Sequence, residues 1–350
     1  MKALVYHGPT QRALENMPMP DIESSTDAIV RIRKTTISGT DLHIMRGDVP
    51  AVTDGRILGH EGVGVIEKLG AGVIGFSVGD QVLISSISSC GKCVNCKKGM
   101  YSHCENGGGW ILGVKIDGTQ AEYVRVPFAE NSLYRFPEGA NEEALVLLSD
   151  TLPSGFECGV RSGQVKPGDT LAIVGAGPIG LATLLTAQFY SPAEIIVVDN
   201  DDNRLQIAKS FGATQVVNNG LGNAAEKIMA LTANRGVDVA IEAVGAPETF
   251  DICQEIVTAG GHLANIGVYG KPVQLNLERL WAQNITITTR LVDTVTTPLL
   301  LKMVSSGKLQ PQLLITHHFT LDQIMQAYDT FENAKQEHAL KVIISSDTAG

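Results

Sequence analysis

Four cysteines crowd into one short stretch, Cys90-Gly-Lys-Cys93-Val-Asn-Cys96-Lys-Lys-Gly-Met-Tyr-Ser-His-Cys104. Thiolates held this close repel one another unless a cation sits among them. Zinc takes four sulfurs tetrahedrally at about 2.3 Å, and a closed four-sulfur shell leaves no position for substrate. The loop therefore reads as a structural zinc staple that pins down the chain around it. A pair of disulfides would be the other use of four cysteines, but the spacing does not favour it. Cys158 and Cys253 stand single and far apart in sequence, which fits a reducing compartment, and a cytoplasmic location is the expectation.

With 350 residues the chain is long enough for two domains. Its formal net charge of −10, with no long Lys/Arg cluster, argues against a nucleic-acid surface. No apolar run approaches the ~18–20 residues of a membrane span. The start, Met1-Lys-Ala-Leu-Val-Tyr-His-Gly-Pro9, lacks the apolar centre of a signal peptide and reads as a first strand. Neither a membrane nor a nucleic acid is expected as a partner.

Up to about Pro153 short strands alternate with glycine-rich turns, as in Ala28-Ile-Val30-Arg-Ile32 and Gly62-Val-Gly64-Val-Ile, which predicts a mostly antiparallel β domain. The texture changes near residue 165. Strands Thr170 to Val174, Glu194 to Val198, Gln215 to Asn218, Val237 to Ala243 and His262 to Ile266 interleave with helices over 178–190, 202–211, 224–232 and 247–257. That alternation predicts parallel βαβ units with helices on both faces. Two helices (298–306 and 321–333) and a strand (340–345) follow, and this tail is expected to return to the first domain. The expected division is 1–153, 154–291 and 292–350.

The turn Gly175-Ala-Gly177-Pro178-Ile179-Gly180 follows the first of these strands and opens a helix, the context a dinucleotide fingerprint needs. Gly175 permits the turn, Gly177 lets backbone approach a pyrophosphate, and Gly180 brings helix onto strand. Asp199 ends the next strand, near the expected offset of a ribose-binding acid, so NAD(H) is favoured over NADP(H). Arg204 softens that preference slightly, but one turn onward it is expected to face solvent.

Two further features look like a catalytic metal position: Gly59-His60-Glu61, with an imidazole beside a carboxylate, and Asp150 at the expected domain junction. Together with Ser38-Gly39-Thr40-Asp41-Leu42-His43, the cysteine loop and the Gly175 turn, they make the whole chain resemble the zinc-dependent medium-chain alcohol dehydrogenases. Within that family it is more similar to bacterial secondary-alcohol dehydrogenases, since Asp150 stands where other branches have cysteine and Trp110 matches a pocket tryptophan. The resemblance implies an α/β fold, a Rossmann doubly wound parallel sheet plus a β-rich GroES-like catalytic domain, and a homotetramer.

It also implies roles. Zinc held by residue 38, His60 and Asp150 polarises the substrate oxygen, and hydride passes to or from NAD(H). Thr40 hydrogen-bonds the alcohol and passes its proton through the cofactor ribose to His43. Glu61 lies behind the ligands or acts as an exchangeable fourth one. Trp110, Tyr269 and Leu291 wall a pocket for a small secondary alcohol or its ketone. On the residues alone, Thr40 also reads as a helix cap, His43 as a surface histidine, Asp150 as a cap for the segment at Thr151, and Trp110 as core.

The departure is Ser38, where the family has cysteine as the first catalytic-zinc ligand. A hydroxyl stays protonated and is a poor zinc ligand. Two origins stay open, a substitution made to empty the site or a natural site of lower affinity. Reduced activity is expected, and the alternatives are a polyol or amino-alcohol dehydrogenase of the same superfamily or a silent NAD-binding variant.

Overall fold

The computed structural model describes residues 1–346; the last four residues of the expected return segment lie outside them. The chain divides into two compact units. One is Met1–Asp150 together with the chain from Asp293 onward, and the other is Thr151–Val292.

The first unit contains β1 (Lys2–Tyr6), β2 (Arg12–Asn16), β3 (Ala28–Thr36), helix α1 (Gly39–Met45), β4 (Arg56–Ile57), β5 (Gly62–Leu69), β6 (Gln81–Ile84), β7 (Tyr123–Val126) and β8 (Leu133–Arg135). The second contains β9 (Thr170–Val174), β10 (Glu194–Asp199), β11 (Gln215–Asn218), β12 (Val237–Glu242), β13 (Val257–Asn265) and β14 (Thr286–Thr289). The chain then returns with β15 (Ile315–Thr320) and β16 (Lys341–Ser345) to the first unit.

In the first unit seven strands form one sheet in the order β15-β16-β3-β5-β6-β8, with β7 also on β3, and a smaller sheet runs β2-β1-β4. All pairings are antiparallel except β15 with β16. Val30, Ile32, Ile66, Val82 and Ile84 make its apolar centre. A second cluster fastens α1, whose Ile44 and Met45 pack with Leu4, Ile324, Tyr328 and Phe331. That cluster is why a helix of only seven residues, too short to persist alone, can hold a side chain in place.

The second unit is a parallel six-stranded sheet, β11-β10-β9-β12-β13-β14, the doubly wound order. Leu171, Ala172, Ile173 and Val174 are all buried, as a strand covered on both faces requires. Beyond residue 165, where the sequence is read element by element, two strands escape the reading. β14, Thr-Ile-Thr-Thr, is a short and mostly polar edge strand, and β15 carries two histidines and is nowhere fully buried. β13 also starts earlier than read, directly at the end of helix Pro247–Ile256. Among the described residues no helix is long and apolar enough to cross a membrane.

Candidate functional site

At the end of β3 the chain turns into α1 through a capping box. The Ser38 hydroxyl accepts from Thr40 N at 3.3 Å, and the Asp41 carboxylate accepts from Ser38 N at 2.9 Å. The cap is thus Ser38, not Thr40. Asp41 is buried, and burial pushes its carboxyl above the usual range against the pull of the His60 charge. The same oxygen, Oδ2, also accepts from Gln120 at 3.1 Å.

Gly59 delivers His60 into the interior. It sits at φ +93, and a Cβ there would lie 2.6 Å from Gln120 Cγ. His60 is buried, with its Nε2 3.8 Å from Asp150 Oδ2 and its ring edge-on to Trp110 at 6.3 Å between centroids. Ser86 donates to the other Asp150 oxygen at 2.9 Å. Burial opposes a charge on the imidazole, but Asp150, with Asp41 and Glu61 behind it, outweighs that and pushes His60 up to about 9. Asp150 moves the other way, below the usual carboxylate range: burial opposes its charge, and His60 overcomes this.

The buried imidazole and the half-buried carboxylate, 3.8 Å apart, are too distant for a direct hydrogen bond and well spaced for a shared divalent cation. His60 Nδ1 and Asp41 Oδ1 are buried with no hydrogen-bond partner among the described residues, so the imidazole is not tied down at its far side. The donor set therefore suits a cation held by His60 and Asp150. It offers no thiolate, and the Ser38 hydroxyl is occupied as a cap.

Glu61 faces away from this pair. Its carboxylate is bound by the Lys341 ammonium and the Thr36 hydroxyl, and Lys341 also donates to Thr36 Oγ1 at 3.0 Å and Ile37 O at 3.2 Å. Sequence reasoning passed over Lys341, Asp41 and Ser86. A lone lysine in the apolar strand Lys-Val-Ile-Ile and the Ser-x-x-Asp capping pattern were the available signals. Thr40 and His43 both lie on α1, and His43 Nδ1 is 2.9 Å from Asp48 Oδ2.

In the cysteine loop all four Sγ atoms lie within 4.8 Å of one another, and no cysteine of the described chain is in a disulfide. Amides of Lys92 and Cys93 point at Cys90 Sγ from 3.4 Å. Burial opposes ionisation of Cys90, but these donors lower it to about 6, while burial and the neighbouring thiols push Cys96 up to about 12; a cation among them is what would let all four ionise. A chelator strong enough to strip this loop is expected to open residues 90–104 to protease; an unchanged digestion rate would show that no metal holds it.

In the second unit the glycine turn lines a cavity of about 320 Å³ with Val198, Asp199, Asn200, Arg204 and Thr249 among its walls. Gly175 lies at φ +111, and a Cβ at Gly180 would fall 1.8 Å from Gly175 O. A Cβ at Gly177 meets nothing within 4 Å, so packing does not require glycine there. The helix Pro178–Ala187 starts at Gly177 without a side-chain cap, and its first N–H groups are free for an anion. Asp199 is anchored by the amides of Ala176, Asn200 and Asp201 at 2.7–3.0 Å. Arg204 corrects the expectation: it lines the cavity, its Nε 3.9 Å from the helix-capping Asp201. Tyr269 donates to Asn265 at 2.8 Å and packs edge-on against Phe250, while Leu291 is exposed.

Known proteins share this architecture. Residues 24–138 match the alcohol dehydrogenase GroES-like domain and 178–306 the zinc-binding dehydrogenase domain. An alcohol dehydrogenase of Cupriavidus necator is 36% identical over 98% of both chains. The apo form of zinc dependent alcohol dehydrogenase 2 of Streptococcus pneumoniae superposes with a TM-score of 0.96 at 55% identity, covering 100% of this chain and 99% of that one. An alcohol dehydrogenase of Escherichia coli CFT073 complexed with NADH (27% identity, TM-score 0.89, 99% of both chains) is similar too. So is a zinc-binding dehydrogenase of Sinorhizobium meliloti 1021 bound to NADP (26%, 0.87, 98% of both). With a GroES-like β unit, a Rossmann unit and end-to-end similarity of this kind, the chain belongs to the zinc-type alcohol dehydrogenase family.

Proposed function

We propose that the chain interconverts secondary alcohols and ketones by hydride transfer with NAD(H). The observation that carries this reading is the His60–Asp150 pair at 3.8 Å, in a chain that also holds an open dinucleotide turn at Gly177. A zinc ion bound by His60 and Asp150 would supply Lewis acidity at the substrate oxygen. A second zinc, in the cysteine loop, would be structural.

The protein's own residues do the rest. Ser86 fixes the Asp150 carboxylate and Trp110 fixes one side of the His60 ring. Thr40 orients the alcohol, and His43 takes up its proton. Glu61, neutralised by Lys341, puts a balanced charge behind the site and is not a ligand in this reading. Trp110, edge-on to His60, offers an aromatic wall, which suits a small alcohol better than a polyol. Faster turnover of 2-butanol than of sorbitol or threonine is the expected result of a substrate panel; the reverse ranking overturns the assignment.

Asp199 accepts the ribose hydroxyls and repels a 2′-phosphate. Relatives with NADH and with NADP both exist, and the Asp199 carboxylate is the feature that supports NAD(H) here. Replacing Asp199 by Gly leaves Arg204 facing the cavity. The kcat/KM ratio should then move toward NADP(H) by at least about tenfold, or about 1.4 kcal/mol. An unmoved ratio removes Asp199 from the ribose. A second reading, a silent NAD-binding protein, is favoured by one observation, the commitment of Ser38 to capping. Tight NADH binding without turnover in excess zinc would establish it.

A further inference from the structure

We propose that Asp48 is the positioning residue for His43, holding its imidazole in the tautomer that leaves Nε2 as proton acceptor. The inference rests on the reading of His43 as the group that takes up the alcohol proton. It starts from how α1 ends. Arg46 closes the helix, Gly47 follows at φ +83, Gly47 N donates to Ile44 O at 2.9 Å and Asp48 N to His43 O at 3.0 Å. This pair of bonds is the Schellman ending, and it returns the backbone of Asp48 onto the carbonyl of His43.

The side chains of the same two residues then meet, His43 Nδ1 2.9 Å from Asp48 Oδ2. An ionised carboxylate only accepts, so Nδ1 must carry a proton, and in the neutral ring the lone pair is left on Nε2. Arg46 Nε reaches the same oxygen at 3.4 Å. The His43 bond first, and Arg46 after it, hold the Asp48 carboxyl below its usual range, so it is ionised at neutral pH. Ile44 and Met45, packed in the core, prevent the helix from rotating His43 away. Asp48 lies outside the turn of sequence that carries the recognised motif, and no local pattern singles it out.

The tests are the 15N spectrum of His43 and steady-state rates in Asp48→Ala and Asp48→Asn. The second variant is nearly isosteric and keeps the backbone bond to His43. In the parent protein, the neutral ring of His43 should show protonated Nδ1; in both variants the two tautomers should mix. The kcat for alcohol oxidation at neutral pH should fall by about 10- to 100-fold with the KM for NAD unchanged. A parent-like tautomer and rate in both variants overturns the proposal. His43→Gln separates the premises. If it slows turnover while the Asp48 variants keep the parent tautomer, the positioning claim fails and the relay stands. If it leaves turnover untouched, the relay reading fails, and with it the catalytic meaning of the pair.

Discussion

Ser38→Cys is expected to raise metal content from about one zinc per chain to about two and to speed secondary-alcohol oxidation by about 100-fold or more. The argument is a comparison of magnitudes. A catalytic zinc normally has three protein ligands; here His60 and Asp150 supply two, and Ser38 caps α1. Lewis-acid assistance is worth several kcal/mol, and 2.7 kcal/mol is already about 100-fold in rate. Against this, losing a serine cap costs about 1 kcal/mol. The metal-free variant should thus be slightly less stable than the parent, while the loaded variant is far more active. Metal analysis and the thiolate-to-cobalt absorption of the cobalt-substituted variant read the first effect without using activity. Two tightly held zincs in the parent protein would show the ligand argument to be wrong.

Lys341→Met should destabilise the protein by about 3–5 kcal/mol, since removing one partner of a buried ion pair leaves the other uncompensated. Lys341 is 1% exposed and so is Glu61. For a protein whose total stability is about 5–15 kcal/mol, that is a large fraction. The double variant Lys341→Met with Glu61→Gln should recover much of the loss, because the charge that suffers has gone too. Urea denaturation of the holoprotein measures both. A Lys341→Met protein as stable as the parent would mean that Glu61 finds another cation or is solvated.

These two predictions divide along what local pattern can and cannot carry. The glycine turn and the cysteine loop are legible because each completes its chemistry within a few residues: Gly180 must touch Gly175, and Cys93 must touch Cys90. Ser38 is legible as a departure only because the motif around it is intact. Lys341 meets Glu61 from 280 residues away, and nothing near either residue announces the other. Arg204 was misjudged for a related reason. Helical periodicity turned it toward water, whereas its contact with Asp201 holds it over the cavity. The strands β14 and β15 were missed because polar edge strands lack the alternation by which a half-buried strand is recognised.

The order in which the chain is made has a bearing on this buried pair. Glu61 leaves the ribosome 280 residues ahead of Lys341, which β16 carries beside β3. Residues 151–292 form a compact unit of their own and can fold while the first sheet still lacks its neighbour. Until β16 has been made, a carboxylate destined for the interior lacks its lysine partner. A nascent chain arrested before residue 341 should therefore keep the sheet around β3 open to chaperones, and loss of β16 would be felt at the residues beside His60.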